Sequence, residues 1–215
     1  MAKCEELMQN LPNVLSLSRL LATVLIFVFV VINQPWAFLL AVLVFVVASA
    51  TDYLDGYFAR RLKAVSNLGI FLDLTADKIF VSAILIAMVQ VDLVPGWIVF
   101  IIVAREFLVS GLRSIAAARG KVIPAGPLGK QKTFITMTAM GGLMLAKSLG
   151  AHQLSLFPPM LVFNSQTLQL SEILLLLSDI LIILATIWTV LSGIEYMLGA
   201  RLLFQDMSGA AGSKQ

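Results

Sequence analysis

Charge is scarce in this chain. Of its 215 residues, 13% are Asp, Glu, Lys or Arg, while 60% are hydrophobic. A water-soluble domain of this length must cover its surface with polar groups, so that class is excluded and an integral membrane protein is expected. Cysteine is reduced to Cys4, so no intramolecular disulfide can form. Repeats, low-complexity segments and room for a separate soluble domain are also lacking. The opening MAKCEELMQNLPN sets Glu5 and Glu6 beside one lysine, and no small-residue cleavage site follows it. That argues against a signal peptide and for a short interfacial helix. No nucleic-acid partner is expected.

What the chain does have is six apolar runs, at 14–33, 36–61, 69–91, 94–118, 128–148 and 172–200. A span needs about 20 such residues. Asn33-Gln34-Pro35 separates the first two runs, Asp92 to Pro95 the next break, and PAGPLG precedes the fifth. The stretch 150–171, with Pro158-Pro159, reads as a longer loop. Nearly all 15 basic residues fall on one side of the resulting topology, Lys147 being the clear exception, and the opposite loops NQP and VDLVP carry none. The positive-inside rule then places both termini in the cytoplasm. The expected fold is an all-α integral membrane protein with six transmembrane helices. It comprises an interfacial segment 1–13, a catalytic bundle 14–200 and a cytoplasmic tail 201–215. Asp179, inside the last span, suggests no more than an interhelical hydrogen bond.

Four of the 12 acidic residues crowd into TDYLDGYFARRLKAVSNLGIFLDLTADK, at Asp52, Asp55, Asp73 and Asp77. Each pair is spaced to share a helix face. At about 1.5 Å per residue, Asp77 lies roughly 12 Å beyond Gly69, so the four should converge in the cytoplasmic half of the bilayer. A charge within a span costs about 2.5–3.5 kcal/mol on insertion scales. Two arrangements tolerate such a cluster. One is a structural ion-pair network with Arg60, Lys78 and Arg105; the other is hard divalent cations held by oxygen ligands. The acids outnumber the nearby bases and small residues flank them, which favours metal.

The pattern Asp52-x2-Asp55-Gly56-x2-Ala59-Arg60-x8-Gly69-x3-Asp73-x3-Asp77 resembles the signature of the CDP-alcohol phosphotransferases. The stretches NLPNVLSLSR, FLDLTADK and AREFLVSGLRSIAAARGKVIPAGPLGKQKT look like the family's bacterial phosphatidylglycerophosphate synthase branch, although Leu74 stands where that branch often has proline. The resemblance implies transfer of a phosphatidyl group from CDP-diacylglycerol to an alcohol, sn-glycerol 3-phosphate in that branch, with release of CMP. It implies two divalent cations, Mg or Mn, held by Asp52, Asp55 and Asp73. Asp77 would be the general base and could also touch a metal. Gly56, Ala59, Arg60 and Gly69 would lie against the CDP moiety, with Asn13 and Thr51 contributing. A homodimer in the bacterial inner membrane, with a cytoplasmic-side active site, is implied as well.

A phosphorylated acceptor needs cations. Arg105 follows the uncharged run 94–104, Arg113 lies two turns on, and Lys130 opens the fifth span. Together they could clamp glycerol phosphate, arginine being suited to bidentate contacts. The plainer reading pairs Arg105 with Glu106 or an aspartate and leaves Arg113, Arg119, Lys121 and Lys132 to lipid headgroups. Rival acceptors are inositol phosphate, serine and phosphatidylglycerol. A divalent-cation transporter would show a polar path to the far side, yet LLAVLVFVVASA and IFVSAILIAMV are almost wholly apolar.

Overall fold

The computed structural model describes the backbone of residues 2–62, 67–118, 127–151 and 170–212. Side chains are described for 16–51, 75–118, 129, 131–151 and 170–199. These residues form six helices and no strand: α1 (Ala2–Ile32), α2 (Pro35–Leu62), α3 (Asn67–Gln90), α4 (Gly96–Ala118), α5 (Pro127–Ser148) and α6 (Leu170–Gly212). The backbone of α1 is helical without interruption, so residues 2–13 continue into the first apolar run instead of forming a helix of their own. Residues 201–212 likewise extend α6.

The breaks fall where the turn residues stand. Asn33 takes a left-handed conformation (φ 53°) behind α1, and Pro35 opens α2, where its missing N–H is harmless. Asp92 (φ 56°) ends α3, with the Leu93 amide donating to the Met88 carbonyl at 2.8 Å. Gly150 (φ 88°) ends α5 in the same way, through Ala151 to Ala146 at 3.1 Å. Both are six-to-one closures that satisfy carbonyls the helix end would leave open.

Around the bundle the packing order is α1, α2, α5, α6, α4, α3 and back to α1. Among the described residues, α2 and α3 meet across the interior of this ring, where Phe45 and Phe80 stack with centroids 5.6 Å apart. The inward stripes of α1 and α5 change character along their length. On α1, Ser16, Arg19 and Thr23 give way to Ile26 and Val30; on α5, Lys132 and Thr136 give way to Met140 and Leu143. One end of the ring is thus a packed core, completed by Ile84, Met88, Leu93 and Ile98. The other end, where α2 finishes and α5 begins, is polar inside.

Outward faces are apolar. Leu21, Val24 and Val28 of α1, Phe100 and Phe107 of α4, and the seven-residue repeat Leu177, Leu184, Leu191 and Leu198 of α6 are all exposed. Apolar surface this extensive marks contact with lipid or another apolar phase. Among the described residues, Leu170–Gly199 is long and apolar enough to cross a membrane by itself, and Ser16–Ile32 and Pro35–Thr51 are shorter stretches of the same kind. The fold is all-helical and suits a membrane protein.

Candidate active site

The polar end encloses a cavity of about 1090 Å³ to which all six helices contribute. Arg19 comes from α1, Ser49 from α2, Asp77 from α3, Arg105, Glu106 and Arg113 from α4, Lys132 from α5 and Tyr196 from α6. Helical periodicity delivers these side chains. On α6 the buried positions Leu175, Ser178, Ile182, Ala185, Thr189, Ser192 and Tyr196 recur every three or four residues and make one inward face. Thr186 and Thr189 satisfy their hydroxyls by donating to the carbonyls four residues back, at 2.8 and 2.6 Å.

Asp77 stands on the cavity wall with its side chain 53% exposed, ion-paired to Arg19, which is only 6% exposed. A guanidinium withdrawn from solvent this far must meet an anion, because leaving it uncompensated is costly. Thr23 supports this turn of α1 by donating to the Arg19 carbonyl at 2.7 Å. On the facing wall, Arg105 donates to Glu106 at 3.2 Å and through its other terminal nitrogen to Ser192 Oγ. The buried ammonium of Lys132 pairs with the same Glu106 oxygen. The Tyr196 ring lies 5.7 Å from the Arg105 guanidinium carbon, within cation–π range. Among the described residues, Arg105 Nε is a buried donor with no hydrogen bond.

Of the residues singled out in the sequence, Asp77, Arg105 and Arg113 share this one cavity, Arg113 exposed. Thr51 is not among the lining residues, and its hydroxyl donates to the Val47 carbonyl at 2.8 Å. Asn13, Asp52, Asp55, Gly56, Ala59, Arg60, Gly69, Asp73 and Lys130 have helical backbones, but their side chains lie outside the described residues. The pairing of Arg105 with Glu106 agrees with one of the two sequence readings. Arg19, Ser192 and Tyr196 lie outside both, and Lys132 is a buried member of the site, not a headgroup contact. Arg19, like Arg105, is a cation inside an apolar run, and that signal in the sequence marks it equally.

A divalent metal fits what is described. Asp77 offers hard oxygen to the cavity, and the lining positions Phe45 and Ser49 are followed at helical spacing by Asp52 and Gly56 in the sequence. Among the described residues, no three metal-type ligands come together. Three of the four aspartates lie outside them.

Fold and site together define a class: a helical bundle with a lipid-type exterior and a one-ended cavity that offers a carboxylate and several cations to an anionic ligand. The chain belongs to the CDP-alcohol phosphatidyltransferase family, whose model matches residues 9–191, and is therefore a transferase. That family is generally dependent on divalent metal. A Bacillus subtilis (strain 168) relative is 43% identical over 151 residues, covering 64% of this chain and 78% of its own length. A Rickettsia bellii relative is 42% identical over 140 residues, covering 64% and 76%. Both bear the name CDP-diacylglycerol--glycerol-3-phosphate 3-phosphatidyltransferase. An Arabidopsis thaliana protein of that activity, designated 1, chloroplastic/mitochondrial, is 36% identical over 152 residues, or 64% of this chain and 51% of its own.

Proposed function

We propose that the protein transfers the phosphatidyl group of CDP-diacylglycerol to sn-glycerol 3-phosphate, giving phosphatidylglycerophosphate and CMP. The observation that carries this reading is the placement of Asp77 in one cavity with Arg105, Arg113 and Lys132. A carboxylate can take a proton from an attacking hydroxyl, and fixed cations can hold the phosphate that the same acceptor carries. Arg19, Arg105, Arg113 and Lys132 outnumber Asp77 and Glu106 in the lining, and a neutral polyol or serine would leave that surplus of positive charge uncompensated, which favours a phosphorylated acceptor. The packed apolar end, with Ile26, Val30, Ile84 and Met88 fully buried, argues against a transport pathway.

In the reaction, the acceptor oxygen attacks the lipid-side phosphorus of the pyrophosphate. The bond from that phosphorus to the CMP oxygen breaks, and CMP departs with the bonding electron pair. Asp77 receives the hydroxyl proton. Arg105, Arg113 and Lys132, with Lys130 beside them in sequence, hold the acceptor's phosphate and so fix which hydroxyl faces the donor. Two divalent cations, Mg or Mn, held by Asp52, Asp55, Asp73 and Asp77, would neutralise the pyrophosphate and the departing CMP. Gly56, Ala59, Arg60 and Gly69, with Asn13, take the CDP moiety, and the small residues let the nucleotide approach the backbone; Thr51, whose hydroxyl is bonded to its own helix, stands outside this set.

The assembly is a six-span homodimer of the bacterial inner membrane, with both termini and the cavity mouth cytoplasmic. That side supplies nucleotide and acceptor, while the bilayer supplies diacylglycerol. The direct test is CMP release by protein in liposomes with CDP-diacylglycerol and Mg or Mn. Glycerol 3-phosphate, inositol phosphate and serine are offered separately. Release should need metal and glycerol 3-phosphate, and Asp77→Asn should slow it by about a hundredfold or more. Release with serine alone would replace the acceptor assignment, and no release with any alcohol would end the enzyme reading.

A further inference from the structure

Arg105 of α4 is held from behind by α6, a helix that supplies no cation of its own to the cavity among the described residues. Ser192 is fully buried and is not among the lining residues, yet its Oγ accepts a hydrogen bond from an Arg105 terminal nitrogen. One residue on, Gly193 leaves the space into which the arginine stem packs: a Cβ there would lie 3.2 Å from Arg105 Cγ. One turn on, the buried Tyr196 ring stands 5.7 Å from the guanidinium carbon. These three contacts fall at positions i, i+1 and i+4 of α6, so a single helical turn surrounds the side chain. With Glu106 engaging Nη1 and Ser192 engaging Nη2, the guanidinium plane is fixed, and Nε remains as a buried donor without a hydrogen bond among the described residues.

We infer that Ser192, Gly193 and Tyr196 form a seat on α6 that orients Arg105 toward the phosphate of the acceptor, making Ser192 a positioning residue for acceptor recognition. The inference rests on the acceptor reading above. Ser192 is fully buried and does not line the cavity, so it acts through Arg105 and not by touching the ligand. Its effect must appear in how well the acceptor binds and not in how the lipid donor binds.

Rates of CMP release from CDP-diacylglycerol in mixed micelles, with Mg supplied, separate the two KM values. Ser192→Ala removes the acceptor of a charge-assisted bond and is expected to raise KM for glycerol 3-phosphate about tenfold. KM for CDP-diacylglycerol should stay unchanged. Gly193→Ala, whose new Cβ presses on the arginine stem, should shift the same KM in the same direction, and it serves if Ser192→Ala fails to fold. An unchanged acceptor KM in both active variants, or equal rises in both KM values, overturns the seat. Wild-type release that is independent of glycerol 3-phosphate instead overturns the acceptor reading itself.

Discussion

Arg19 and Asp77 sit 58 positions apart in the chain and meet in an ion pair whose basic partner is nearly enclosed by protein. Arginine's planar fork fixes a carboxylate's orientation, which the point charge of lysine does not. Arg19→Lys should therefore keep the fold and lower kcat/KM for CMP release about tenfold, and Arg19→Leu should lower it further. Wild-type rates in Arg19→Leu would show that Asp77 needs no such support. The sequence made the cost of a buried cation legible at Arg105, and the same rule covers Arg19 and Lys132. It could not say that Arg19 would meet Asp77, since partners lying 58 positions apart are joined only by folding. Ser192 was hidden for another reason. A serine in an apolar helix looks like one more hydroxyl bonded to its own backbone, as Thr186 and Thr189 in fact are.

Element boundaries were far easier to read. Asn33-Gln34-Pro35 and the segment from Asp92 to Pro95 end and start helices within a residue or two of the expected breaks, because left-handed and proline positions leave few alternatives. The unbroken course of α1 was not legible, since the change from MAKCEELMQNLPN to an apolar run looks like a boundary while the backbone stays helical across it. Contact between α5 and α6 depends on a feature periodicity does not reveal. At Gly142 an added Cβ would run into the Ser178 hydroxyl and come within 3.3 Å of its Cβ. Gly142→Val should destabilise the bundle by about 1–3 kcal/mol, a fall of about 2–4 °C in Tm per kcal/mol for a chain of this size. Gly111→Val is the matched control, as nothing lies within 4 Å of the new Cβ. A thermal melt in detergent that shows equal Tm for both would refute close approach at Gly142.

Across the whole molecule, the apolar exterior was implied by composition alone, whereas the cyclic order of the helices was not, because hydropathy is silent on which helix neighbours which. The proposed orientation has a convenient probe in the lone cysteine. Cys4 should react with a membrane-impermeant maleimide in inverted vesicles and stay unlabelled in intact spheroplasts. Labelling from the outside would reverse the topology and carry the cavity mouth to the other face. The contrast between a hydrated end and a packed end also bears on energy conservation. A polar cleft running through a bilayer would conduct protons and metal ions and discharge the gradient that the cell maintains. The hydrophobic plug of Ile26, Val30, Ile84, Met88 and Ile98 closes the cavity partway. In the proposed orientation, charged substrates would enter the low-dielectric layer from one side while the layer keeps its electrical resistance.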